Sequence, residues 1–265
     1  MNLGAYLQGL IADWLRGSAF PAAPGALTIG ISSTDPLADG SGINEPTGAQ
    51  GYARQVLTFG AITSSQGNGS SIGNDAAITF GPVSGSEWSS IRYVFISAGA
   101  NMLAYGPLNV ARSLPVGDQF GFAPGSIQLK IAGAFSRQVA EAVLGWVKGS
   151  AMLPAPSALR LALSMTDPLD NGSALAEVST ADGYQRQAIA LSAPAFDLDI
   201  GTTLNLAAPI IFGPAVIHAW SQVTHGMVLD QGGLPLLIGP LAAPRILGIG
   251  DSLPMTSSTL QLAIR

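Results

Sequence analysis

Three sets of side chains in this chain are of types that can do chemistry. The first is a pair of histidines, His218 and His225, the only two in 265 residues. A Ser-His-Asp relay would need one of them beside a positioned nucleophile and an orienting carboxylate. Zinc would need more ligands than two imidazoles provide, and with no cysteine there are no thiolates, disulfides or cysteine nucleophiles. The second set is acidic. Asp35, Asp39 and Glu45 are spread through a glycine-rich stretch, as are Asp167, Asp170 and Glu177 further on. Carboxylates spaced through such a loop can hold Ca2+, but this spacing does not match the EF-hand loop with its closing glutamate. Asp before Pro reads instead as a turn initiator. Glycoside hydrolysis would need two facing carboxylates. Of the acids that recur, Asp118 and Asp251 each follow a glycine, which reads as a hairpin turn. The third set is Tyr52-x-Arg54 and Tyr184-x-Arg186. Alternation along a strand puts Tyr and Arg on one face, where the Arg can clamp the loop glutamate of its own half or contact a partner. These residues give no catalytic, metal or cofactor site. Lys and Arg number 11 against 16 Asp and Glu, for a net charge of −5. Broad phosphate contact needs clustered positive charge, so nucleic acid is not an expected partner. Nor is there a glycine-rich phosphate loop followed by Lys and Ser or Thr.

The recurrence of these sets has one cause: the chain is duplicated. At a spacing of 132, Trp14 falls on Trp146, Gly17-Ser18-Ala19 on Gly149-Ser150-Ala151, and Thr34-Asp35-Pro36-Leu37 on Thr166-Asp167-Pro168-Leu169. Tyr52, Arg54 and Gln55 fall on Tyr184, Arg186 and Gln187, Phe80-Gly81-Pro82 on Phe212-Gly213-Pro214, and Trp88-Ser89 on Trp220-Ser221. One inserted residue then moves the spacing to 133, where Gly106-Pro107-Leu108 meets Gly239-Pro240-Leu241 and Gly117-Asp118 meets Gly250-Asp251. The expected domains are residues 1–132 and 133–265. His225 falls on Tyr93, so its imidazole is expected to be structural or part of an interface.

Each half opens with a helical pattern. Leu3, Tyr6, Leu7, Leu10, Ile11, Trp14 and Leu15 form one apolar stripe, with Asn2 as the expected cap and Gly17 as the stop. Phe135, Val139, Ala142, Val143, Trp146 and Val147 repeat it, ending at Gly149. Each helix is expected to pack on its own sheet, with docking on a partner subunit as the alternative. The period then changes to two: Leu27, Ile29 and Ile31, and Leu159, Leu161 and Leu163, alternate with small or polar residues. Tyr52–Phe59, Ile78–Phe80, Ile91–Ile96, Gln119–Phe122 and Ile127–Ile131, with their second-half counterparts, are further strands. With 33 Gly, 18 Pro, 48% hydrophobic and only 10% charged residues, disorder is excluded and many short strands are indicated. The expected fold is mainly β with one N-terminal helix per repeat, as two tandem, jelly-roll-like β-sandwich domains. Trp14, Trp146, Trp88, Trp220, Tyr52, Arg54, Tyr184 and Arg186 are its expected anchors. No membrane helix is expected, since the most apolar window, Leu234 to Ile249, contains Pro235, Pro240, Pro244 and Arg245. The N-terminal residues lack a basic region before Asp13, so no signal peptide is expected.

The order of these features carries a resemblance. An apolar helix ending in Gly is followed by Thr-Asp-Pro-Leu, Gly-Tyr-x-Arg, Ile-x-Phe, a Trp leading an apolar strand, Gly-Pro-Leu and Gly-Asp. This pattern resembles a family of small tailed-phage virion proteins, variously capsid decoration (cement) or tail fibre proteins. The resemblance implies a non-enzymatic structural role in a bacteriophage virion, with capsid decoration as the favoured reading and a tail or baseplate fibre as the alternative. It implies other virion proteins as partners, either the major capsid protein or tail proteins. It also implies a homo-oligomer, synthesis in the host cytoplasm, and no cofactor. A carbohydrate-binding β-sandwich is a third reading and would require an exposed aromatic platform.

The halves differ most in one stretch. Thr63 to Asp75 is polar and rich in Gly and Ser, whereas the matching Ala195 to Ala207 carries Phe196, Leu198, Ile200, Leu204 and Leu206 at even spacing. That spacing predicts a strand with one apolar face. The face either makes a contact with a neighbour or closes over the second half's own core.

Overall fold

The computed structural model describes residues 1–256 and 261–265. The first repeat contains β1 (Asn2–Leu3), α1 (Ala5–Leu15), β2 (Leu27–Ser32), β3 (Gln55–Leu57), β4 (Thr63–Ser65) and β5 (Gly69–Gly73). It continues with β6 (Ile78–Phe80), β7 (Trp88–Ala98), β8 (Asn101–Leu114), β9 (Phe120–Phe122) and β10 (Gln128–Ile131). The second contains α2 (Arg137–Val147), β11 (Leu159–Ser164), β12 (Gln187–Ile189), β13 (Ala195–Asp197) and β14 (Gly201–Asn205). It closes with β15 (Ile210–Phe212), β16 (Trp220–Leu229), β17 (Pro235–Leu247), β18 (Leu253–Met255) and β19 (Gln261–Ile264). Position 260, the counterpart of Ile127, lies outside the described residues.

The sheets repeat strand for strand. A main sheet ordered β1-β8-β7-β2-β3 corresponds to β12-β11-β16-β17, a small sheet β10-β5-β4 to β13-β14-β19, and a ribbon β6-β9 to β15-β18. The pairs are antiparallel, as short strands joined by Gly- and Pro-rich turns require. In place of β1 the second repeat has a single bridge, Phe135 to Leu237. Even the irregularities coincide: the long hairpin slips register between Trp88, Ile91 and Tyr93, and again between Trp220, Val223 and His225. Such bulges bend and twist the strand that carries them.

Asn2 does not cap α1. It is drawn into β1, opposite Tyr105, and Gly4 occupies the cap position with no side-chain bond. Ser136 does cap α2, accepting from the Val139 N–H at 3.3 Å. Both helices stop at the glycines marked by the sequence, where Gly17 (φ 98°) and Gly149 (φ 99°) adopt left-handed backbone. The buried set on α1 (Leu7, Gln8, Ile11, Ala12, Trp14 and Leu15) is wider than one stripe. Such a helix must be covered on two sides. It lies against β8 of its own repeat and β14 of the other, while α2 lies against its own β17 and against β5 and β10 of the first repeat. Each helix therefore rests on both repeats, and one continuous hydrophobic core runs through the two.

Candidate functional site

The recurring Glu, Tyr and Arg residues meet in each repeat beside the main sheet. The Tyr52 hydroxyl accepts from the Ile31 N–H at 3.1 Å and donates to Glu45 Oε1. Arg54 grips the same carboxylate with two nitrogens, Nη2 to Oε2 at 2.7 Å and Nε to Oε1 at 3.0 Å. In the second repeat the Tyr184 hydroxyl accepts from the Leu163 N–H at 2.9 Å and donates to Glu177 at 2.7 Å. Arg186 repeats the fork at 2.7 and 3.0 Å. Each tyrosine ring stacks on a phenylalanine (Phe80 or Phe212, 6.0 Å) and meets a tryptophan edge-on (Trp88 or Trp220, 5.6 Å). Those indoles donate to the carbonyls of Gln50 and Asp182, both at 2.8 Å. Burial, reinforced by the adjacent carboxylates, pushes both phenols well above the ordinary tyrosine value. At Glu177 burial acts to raise the carboxyl, but the bonds from Arg186 and Tyr184 and the arginine charge outweigh it and hold the group below its ordinary value. Each carboxylate is thus engaged by its own repeat: the arrangement fastens a loop to the sheet. One difference separates the copies. Arg54 also sits over the Phe95 ring at 4.8 Å, a cation–π contact with no counterpart where Met227 replaces Phe95.

The acidic loops are turn chemistry. Asp35 Oδ1 accepts from the Leu37 N–H and Asp167 Oδ1 from the Leu169 N–H. Asp39 accepts from the Ser41 N–H and hydroxyl, which hold its carboxyl below the ordinary value. The structural counterpart of Asp39 is Asn171, which accepts from the Ser173 N–H in the same way. Asp170 instead forms an ion pair with Arg137 at 2.8 Å. Asp118 and Asp251 stand in turns, their carbonyls accepting from Val83 and Ala215. Among the described residues no group of three or more His, Asp or Glu side chains could hold a metal ion. His218 is exposed and pairs with Asp182 at 2.8 Å, and His225 contacts Thr224 Oγ1 at 2.9 Å. A Gly-x-Ser-x-Gly string does occur, Gly69 to Gly73 around Ser71. It lies within β5, not at a strand-to-helix turn, and Ser71 Oγ is 3.0 Å from Thr63 Oγ1.

Phe196, Leu198, Ile200, Leu204 and Leu206 do not line one strand face. The chain reverses between β13 and β14, with Phe196 opposite Thr202. Asp197 Oδ1 fixes the turn by accepting from the N–H groups of Asp199 and Ile200, at 2.8 and 3.0 Å. A side chain that satisfies two backbone donors at a turn competes with continuing the strand. The set is thereby divided. Leu204 and Leu206 enter the core, while Phe196, Leu198 and Ile200 stay about half exposed at the hairpin. The four tryptophans, Trp14, Trp88, Trp146 and Trp220, are all buried.

A second apolar region was not legible from periodicity. Ile211, Val216, Ile217, Ile246 and Ile249 are each more than half exposed. Backbone contacts gather them at one end of the second repeat. Ile211 faces Pro254 across the ribbon, the Gly250 N–H donates to the Ala215 carbonyl at 2.8 Å, and Trp220 pairs with Leu247. In the first repeat the same positions are Thr79, Ser84, Gly85, Ser113 and Val116. The signal that finds the first four is this position-by-position difference between copies, while Ile249 matches the likewise exposed aliphatic Val116. Where the first repeat carries Thr, Ser and Gly, the second thus presents exposed aliphatic side chains.

The family described as podophage GP4 fiber I protein gp80 matches the chain twice, over residues 2–130 and 134–263. No curated protein matches it. The chain belongs to the podophage fiber I family, as a tandem pair of its units.

Proposed function

We propose that this member of the fiber I family is a non-enzymatic structural component of a podophage fibre, joined to another virion protein through the apolar end of its second repeat. The observation that carries the reading is the replacement of Thr79, Ser84, Gly85 and Ser113 by exposed Ile211, Val216, Ile217 and Ile246 at the same end of the fold. The family description favours a fibre over capsid decoration. The recurring Tyr, Arg and Glu side chains are spent on holding their own loops, which fits a structural part and gives no reacting centre. A sugar-binding platform draws no support from the four tryptophans, which are all buried. The exposed hairpin residues Phe196, Leu198 and Ile200 are the second contact, between copies of the chain. The test is localisation on intact particles with an antibody to the protein. Labelling along tail fibres is expected, and labelling across the capsid lattice would overturn the fibre reading.

A further inference from the structure

We propose that the two repeats recognise each other as a closed two-fold pair, held by their exchanged helices and not by the covalent junction, so that each repeat presents a complete docking surface for a second copy of such a repeat. The contacts are reciprocal. The Trp14 indole N–H donates to the Leu153 carbonyl at 3.1 Å, and the Trp146 indole N–H to the Pro21 carbonyl at 2.9 Å. Pro21 and Leu153 are themselves equivalent positions, so each helix sends its tryptophan to the segment that follows the other helix. The stop glycines follow the same exchange. A side chain at Gly17 would approach the Pro156 carbonyl oxygen at 3.2 Å, and one at Gly149 the equivalent Pro24 oxygen at 3.9 Å. Around this symmetric centre lie contacts specific to one side. Gln8, 2% exposed, accepts from the Thr202 N–H at 2.8 Å and its hydroxyl at 3.1 Å. Glu141 accepts from the Ser64 hydroxyl at 2.6 Å. An isologous arrangement of this kind is the geometry of a two-fold dimer. Separating the repeats would leave the indoles, the Gln8 Oε1 and one side of each helix without partners.

The junction contributes little by comparison. Between the end of β10 at Ile131 and the bridge at Phe135, Ala132 and Gly133 are exposed. Leu3 pairs with Ala104 as Phe135 pairs with Leu237. A break before Gly133 therefore leaves the second repeat starting in the register in which the first repeat starts.

The experiment inserts a specific protease site between Ala132 and Gly133 of the full chain, cuts it, and follows the fragments by native mass spectrometry and gel filtration. The expected result is a single particle containing both fragments, with an unfolding midpoint that becomes concentration-dependent only after the cut. Fragments that separate, folded or not, would overturn the proposal. Gln8→Ala in the cut chain is expected to weaken the pair about tenfold, the loss of buried hydrogen bonds. Unchanged affinity would overturn the part given to Gln8 in holding the pair.

Discussion

At one end of the first repeat stand Thr79, Ser84, Gly85 and Ser113, and at the same end of the second stand Ile211, Val216, Ile217 and Ile246. Beneath these surfaces the two repeats agree closely. They share strand order, bulge positions, a buried tryptophan over the same tyrosine, and the same Glu-Tyr-Arg clamp. The positions that decide the fold are those whose side chains are enclosed, where one missing methylene is felt. Buried positions differ at a few places, Met227 for Phe95 and Ala140 for Gln8 among them. Solvent-facing positions carry less constraint, and at this end of the fold the copies differ in what they expose.

The largest effect is expected where the copies are most alike. Trp14→Ala and Trp146→Ala should each cost about 3–5 kcal/mol, and by similar amounts, because each indole sits in the same exchanged position. Urea unfolding checks this, and one variant that melts like wild type would break the equivalence. Next come Tyr52→Phe and Tyr184→Phe. Each strips a partner from a glutamate and from a backbone N–H, with an expected loss of about 1–3 kcal/mol. The phenols bring a pH signature. Their folded values are raised, so above about pH 10 the unfolded chain binds fewer protons than the folded one and stability falls as pH rises. Melting temperature against pH should show this alkaline loss, reduced in either Phe variant.

The helix starts sharpen the comparison at a smaller scale. Ser136→Ala should cost about 1 kcal/mol through loss of the cap on α2. Gly4→Ser, which puts a good capping residue at the equivalent place, should destabilise, because its side chain would run into the Met102 carbonyl. Thermal melts of both variants decide it, and a gain in stability for Gly4→Ser would refute the packing described around α1. The smallest effect is at Glu177. Its folded carboxyl lies below the ordinary value, so its contribution is present above about pH 4.3 and lost as pH falls through the folded value. The partly exposed arginine keeps that contribution small. Glu177→Gln should flatten the acid limb of a stability-against-pH curve, and an unchanged limb would count against the shift.

Much of this architecture was written in local pattern. Trp14 and Trp146 fixed the repeat spacing, Gly17 and Gly149 ended the helices, and Leu27–Ile31 and Leu159–Leu163 alternated as strands do. Pattern failed where a distant partner decided the outcome. The apolar stripe of α1 is the same whether it covers one sheet or two, so nothing in it announces β14. Asn2 is a good cap by type, but pairing with Tyr105 takes it into β1. The even spacing from Phe196 to Leu206 reads as one strand, and only the bonds accepted by Asp197 turn it into a hairpin. Ile211, Val216, Ile217 and Ile246 have no common period because they lie on separate elements that meet in space.

The apolar end of the second repeat is the proposed point of attachment. Its direct test compares Val216→Asp/Ile246→Asp with Ser84→Asp/Ser113→Asp, which place the same residue at matching positions of the two repeats. Both pairs replace exposed residues and should leave folding stability within about 0.5 kcal/mol per site. The measurement is the amount of each variant recovered on purified particles assembled in cells that supply it as the only source. The second-repeat variant should be absent from particles and the first-repeat variant present at the wild-type level. Incorporation of the second-repeat variant at the wild-type level would contradict the account.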